Sequence, residues 1–168
     1  MSIRNQISNV DGFGNPKVGD NHLVVYFEAA FAGSYWLDSS SSMSIDTARF
    51  ESLGQVRWLV RNGSDFYVSQ SLISGDTTLA GSDLVNEMWA AFDPVADVNF
   101  DAAGASFSTA TGDLTDLNAF GLVTDKDELS GVRHWLEIRG FTVNAVPEPA
   151  TLALLAIGGL GVAIRRRR

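Results

Sequence analysis

The sequence contains no cysteine, two histidines and four prolines in 168 residues. Without cysteine there is no disulfide framework, no thiolate zinc site and no cysteine nucleophile. Histidine is confined to His22 and His134, and the nucleophile-elbow pattern G-x-S-x-G does not occur. Carboxylates are common but show no distinctive paired spacing, so glycosidase chemistry has no support. No catalytic residue and no cofactor is expected. Positive charge is also scarce: 12 Lys and Arg stand against 20 Asp and Glu, and four of the 12 are the last four residues. Residues 1–164 thus hold 8 positive and 20 negative charges, a net of −12. An acidic body repels phosphate backbones, which argues against nucleic acid as a partner. Apolar material is plentiful: 45% of residues are hydrophobic and 10% aromatic, enough to build a core.

Long helical periodicity is nearly missing as well. Short runs rich in Val, Ile, Phe, Tyr, Trp and Thr alternate with clusters of Gly, Asn, Asp and Ser. Strands are expected at 22–31, 42–50, 55–61, 65–71, 98–100, 105–108, 117–124 and 132–145. In the third run, Val56, Trp58 and Val60 form a core face, and Arg57 and Arg61 share the opposite one. Asn62-Gly63 is a strong hairpin signal, because both residues tolerate φ > 0. Gly140 interrupts the last run and predicts a bulge or a strand break. In 82–92, Leu84, Met88 and Phe92 fall at helical spacing after a candidate N-cap, Ser82. A strand is nevertheless expected over Met88–Phe92, with one helical turn before it. About eight strands with frequent turns indicate an all-β, antiparallel β-sandwich over 21–145. Residues 1–20 read as an irregular lead-in or a truncated first strand.

Several clusters invite a functional reading. Asp97-x-Asn99-x-Asp101 begins like an EF-hand loop, but the required Gly and Glu positions hold Ala102 and Ser108. Asp125, Asp127 and Glu128 form a second acidic cluster, a candidate for structural calcium or simply a solvated turn. On the last strand Arg133, Trp135, Glu137 and Arg139 alternate with Val132, His134, Leu136 and Ile138. Aromatic plates beside charged hydrogen-bonding groups suit glycan recognition. Trp135, Arg133, Arg139 and Arg57 are therefore candidates for a glycan face. The plainer reading makes Trp135 a core residue and His134 a structural histidine. Asn62-Gly63-Ser64 matches a glycosylation pattern that the hairpin explains already. Residues 39–42, a serine run, read as a flexible loop.

The C-terminal tail is the most specific feature. Val146-Pro147-Glu148-Pro149 is followed by 15 uncharged residues, 150–164, and then by Arg165, Arg166, Arg167 and Arg168. As a helix the apolar run spans roughly 22 Å at about 1.5 Å per residue. A hydrocarbon core is about 30 Å thick and usually takes about 20 residues. The run is thus a marginal span, suited to a transient anchor. Glycines at 158, 159 and 161 weaken it further. The arginines hold the C-terminus in the cytoplasm by the positive-inside rule, so the body faces outward. Each proline disfavours helix in the residue before it, which separates the run from the body.

This order of motif, short apolar helix and arginine cluster resembles the PEP-CTERM sorting domain of exported bacterial proteins. The resemblance implies an exosortase, a membrane transpeptidase-like enzyme, as partner. It would cut near Pro-Glu-Pro, discard the helix and pass the protein to the cell surface or secreted matrix. The body resembles the jelly-roll domains often found ahead of this tail, in GQVRWLVRNGSDFYVSQ, LNAFGLVTD and FTVNAVPEP. An exported protein needs a signal peptide, and residues 1–20 hold no apolar run of the 7–15 residues required. Either the natural chain starts upstream, which is preferred, or the gene is a truncated copy. The expected function is that of a non-catalytic, exported surface or matrix protein with exopolysaccharide as partner. Two alternatives are a secreted jelly-roll enzyme acting on polysaccharide and an inactive truncated paralogue.

Overall fold

Period-two runs become strands wherever one face can be buried, and this chain pairs them into two antiparallel sheets. A computed structural model describes residues 3–7, 23–26, 33–51, 56–94, 105–124 and 134–147. The strands are β1 (Ile3–Ile7), β2 (Leu23–Tyr26), β3 (Tyr35–Trp36), β4 (Ser42–Glu51), β5 (Val56–Asn62), β6 (Asp65–Ile73) and β7 (Thr77–Ala80). A single helical turn, α1 (Gly81–Val85), follows. Then come β8 (Met88–Phe92), β9 (Thr109–Ala110), a 3-10 turn (Thr111–Asp113), β10 (Leu117–Thr124), β11 (His134–Asn144) and β12 (Val146–Pro147). The smaller sheet has the order β1-β11-β4-β7. The larger runs β12-β3-β10-β5-β6-β8-β9, and β2 also pairs with β10.

The sheets pack face to face around one core. Met43 and Ile45 of β4, Leu79 of β7 and Ile138 of β11 meet Val56, Trp58 and Val60 of β5 and Phe120 and Leu122 of β10. Trp58 is fully buried, with its ring centroid 6.1 Å from that of Phe141. The expected all-β sandwich and its Trp58 core face are both present. A second, smaller cluster lies on the other face of the large sheet: Leu59, Val68, Ala90, Phe92 and Val123, with Phe66, Ala105 and Phe107 against it. The segment expected as a strand over 105–108 is instead extended chain that covers this outer face, with the Ser108 N–H bonding to the Trp89 carbonyl at 3.2 Å.

Local signals fared unevenly. The one helical turn and the strand at Met88–Phe92 form as expected, but the cap is Ala80, not Ser82, and no side chain caps the helix. Within the lead-in, Ile3–Ile7 form β1 and pair with β11. Strands β3, β7, β9 and β12 are too short to show a period. The turn of the β5–β6 hairpin is Gly63-Ser64, because Asn62 pairs directly with Asp65. Gly63 takes a positive φ, of 60°. Gly140 does sit at an irregularity: the β11–β4 register shifts between Ile138 and Gly140. The shift reverses the alternation, so Ile138 faces the core before it and Phe141 and Val143 after it. The expected strand at 98–100 lies outside the described residues. Among the described residues no helix is long and apolar enough to cross a membrane.

A buried polar knot ties α1 to β8 and the 3-10 turn. The Trp89 Nε1–H donates to Thr111 Oγ1 at 2.8 Å, and that hydroxyl donates to the Leu84 carbonyl at 2.7 Å, with the Glu87 carbonyl at 3.2 Å. Thr111 is 1% exposed, so water cannot replace the hydroxyl. Thr111→Val keeps the shape and removes every one of these bonds. It should lower unfolding stability by about 1–3 kcal/mol, the cost of stranding buried polar groups, read as a lower urea midpoint at unchanged slope.

Candidate functional site

The terminal motif begins inside the sandwich. Val146 pairs with Trp36 and Pro147 with Tyr35, which makes β12 the end strand of the large sheet. Proline is tolerated there, because an edge strand need not donate on its open side. It also restricts the residue before it to extended backbone. The feature that bars a helix at this point thus suits a strand. The first half of Val146-Pro147-Glu148-Pro149, where the sorting tail is expected to begin, is thus also paired into the sheet. Glu148, Pro149, the apolar run 150–164 and Arg165, Arg166, Arg167 and Arg168 lie outside the described residues.

Strand β3 is a well-held docking edge. Tyr35 and Ala145 pack against the main core, and Leu37 is part of it. Before the strand, the Ser34 hydroxyl donates to Asp116 Oδ1. After it, residues 38–41 close a turn: Asp38 Oδ1 accepts the Ser40 N–H at 2.8 Å and the Ser40 hydroxyl at 2.7 Å. The Ser40 hydrogen bonds hold the Asp38 carboxyl below its ordinary range. The serine run at 39–42 is therefore an ordered turn leading into β4, not the open loop expected. Asp116 also reaches the β5–β6 hairpin: its N–H donates to Asn62 Oδ1 at 2.7 Å and its carbonyl accepts the Gly63 N–H at 2.8 Å. Asn118 completes the tie, donating to the Gly63 carbonyl at 2.8 Å and accepting from Arg61 Nε at 2.6 Å. The motif edge and the hairpin tip are thus joined by short polar bonds.

Of the glycan-face candidates, the described side chains Arg57 and Arg139 lie in different sheets. Arg57 is 5% exposed, which corrects its place on an open face. Three residues of β6, Ser69, Gln70 and Ser71, bulge opposite Trp58. The Arg57 Nη1 group donates to the Ser69 carbonyl at 2.8 Å and to the Gln70 carbonyl, while the guanidinium lies 5.2 Å from the Phe107 ring centroid. The bulge is closed on its other side by buried Glu87, whose Oε1 accepts the Ser71 N–H at 2.9 Å. Arg57 therefore satisfies backbone under a cover and is closed to a ligand. The signal for that cover was in the sequence: Leu59, Val68, Phe92 and Val123 make the supposed polar face apolar. Arg139 lies in the other sheet and is exposed. The Trp135 backbone pairs with Gln6 and Glu51, but its side chain lies outside the described residues, as do Arg133 and the acidic residues Asp125, Asp127 and Glu128. Among the described residues no group of three or more His, Cys, Asp or Glu could hold a metal ion.

A groove of about 500 Å³ runs between the start of β6 and the end of β8, lined by Asp65, Phe66, Tyr67, Phe92 and Asp93. Its rings are not free stacking plates. Phe66 packs on the second cluster and lies 5.9 Å below the Arg61 guanidinium, and Tyr67 packs on the main core.

Residues 145–168 match the family model of the PEP-CTERM protein-sorting motif. The chain carries a PEP-CTERM sorting signal. The motif implies export to the cell envelope and processing by an exosortase. Neither the curated proteins nor the solved structures contain a match to this chain. The match begins at Ala145, between β11 and β12, so the signal overlaps the fold rather than following it.

Arg139 has one further role. Asp76 Oδ1 accepts the Thr47 N–H at 2.7 Å and the Thr47 hydroxyl at 2.8 Å, a clamp across the β4–β11 irregularity. The Thr47 bonds, and after them the Arg139 charge, hold the Asp76 carboxyl below its ordinary range. A depressed carboxylate contributes stability above its unfolded value and loses it as pH falls through the folded value. The urea midpoint should therefore drop between pH 7 and pH 3, and by less in Asp76→Asn. The difference is small, because Asp76 is exposed to solvent.

Proposed function

We propose that this chain is an exported bacterial cell-surface or extracellular-matrix protein whose β-sandwich is a non-catalytic binding or structural module. The observation that carries this reading is the sorting motif, which starts as the last strand of the sandwich. The body is therefore the cargo, held at its own sheet edge to the segment that addresses it. The apolar run 150–164 serves as a transient inner-membrane anchor with its arginines in the cytoplasm. Its short length suits a segment that is removed, since a marginal span holds weakly.

Exopolysaccharide is the partner this reading favours. The outer face of the small sheet, with Arg139 exposed on it and Trp135 on the same strand, is the surface assigned to it. A secreted jelly-roll enzyme acting on polysaccharide is the second reading. It draws on the groove between β6 and β8, whose lining includes two carboxylates, Asp65 and Asp93.

Mass spectrometry of the mature protein from a bacterium that processes this signal should find residues 165–168 missing. Their retention would overturn the sorting reading. In an exopolysaccharide pull-down, Trp135→Ala should weaken binding roughly tenfold, about 1.4 kcal/mol, with no reducing ends released by either protein. Equal binding removes Trp135 from the site, and release that stops in Asp65→Asn or Asp93→Asn favours the enzyme.

A further inference from the structure

A processing enzyme that reads Val146-Pro147-Glu148-Pro149 must take the segment as an extended single chain. In the folded protein half of that segment is already engaged. Val146 and Pro147 are half-buried and paired with Trp36 and Tyr35. Ala145, directly before them, packs against the main core, so no slack separates motif from body. The pairing is short, with two residues on each side, and it lies at the open end of the sheet order. Trp36 beneath it is 38% exposed. Such a strand opens locally without unfolding the core, because few contacts hold it.

Resting on the sorting reading, we propose that the β3–β12 pairing is a gate: the sorting motif enters the processing enzyme only after β12 has peeled from β3. Tyr35 and Trp36 are then the internal competitor for the motif. Pro147 keeps the gate weak, since it lacks an N–H and adds no donor to the ladder. The device also gives an order of events. A chain folded through β11 shields the motif, whereas one whose large sheet is unformed at β3 presents it at once.

The lack of any native cysteine makes a clean test available. Trp36 and Val146 are direct cross-strand partners, close enough for a disulfide between cysteines placed there. The full-length double variant Trp36→Cys/Val146→Cys is expressed in a bacterium that processes this signal, beside each single variant. Processing is followed by the loss of the C-terminal tail. With the bridge formed, processing should slow at least roughly tenfold, and an added thiol reductant should restore it. Trp36→Cys alone should process at least as fast as the wild type, and Val146→Cys alone, which alters the motif itself, sets the reference rate for the double variant. A bridged protein processed as fast as that reference overturns the gate and leaves the sorting reading standing. Wild-type protein that keeps its tail overturns the sorting reading, and the gate with it. A Trp36→Cys single variant that fails while the wild type is processed would mark Trp36 as a direct contact of the enzyme, which overturns the gate as well.

Discussion

Five consecutive residues of β5, from Val56 to Val60, are buried, and the placing of the other elements follows from that double-sided burial. Val56, Trp58 and Val60 reach into the space between the sheets, where β4, β7 and β11 supply the opposing wall. Leu59 and Arg57 point the other way and need a second cover, which the chain at 105–107 provides. An antiparallel strand usually keeps one face in water. This one has both faces covered from Val56 to Val60. Truncating a fully buried aromatic such as Trp58 costs about 3–5 kcal/mol in proteins generally, a large part of the stability of a domain of this size.

Burial on both faces creates polar obligations. The β6 bulge frees backbone groups from the ladder: Arg57 donates to the Ser69 and Gln70 carbonyls, the Ser69 hydroxyl donates to the Ser71 carbonyl and accepts the Trp58 N–H, and Glu87 accepts the Ser71 N–H. Buried polar groups of this kind cost stability when left unpaired. An arginine that looks like a binding residue in one dimension is thus committed to the backbone in three. Thr111 does the same work beneath Trp89, answering a donor and two carbonyls with one hydroxyl.

The sorting function is joined to this architecture at a single edge. The larger sheet ends in β3 and β12, and β12 is the beginning of the signal. Folding of the cargo and exposure of its address are therefore linked by the same few backbone bonds. The acidic charge of the body and the arginines of the tail sit on opposite sides of that edge in the sequence. The formal −8 of the whole chain combines −12 over residues 1–164 with +4 over residues 165–168.

Composition and period were sufficient for the all-β class, for β4, β5, β6, β8 and β10, and for the Trp58 core face, since each of these rests on local alternation. The sorting signal was legible for the same reason: its motif, apolar run and arginines are contiguous. The two-residue strands β3, β9 and β12 were not legible, because a pair of residues has no period and its strand state comes only from the partner beside it. The fate of Arg57 was decided by Phe107, 50 positions away, and by a bulge that only sheet pairing reveals. The position of the motif was decided in the same way. The sequence alone determined that this protein carries an address and what kind of fold bears it. Tertiary structure decided that the address is docked on the fold, because strand pairing is a contact between distant segments and leaves no mark on either one alone.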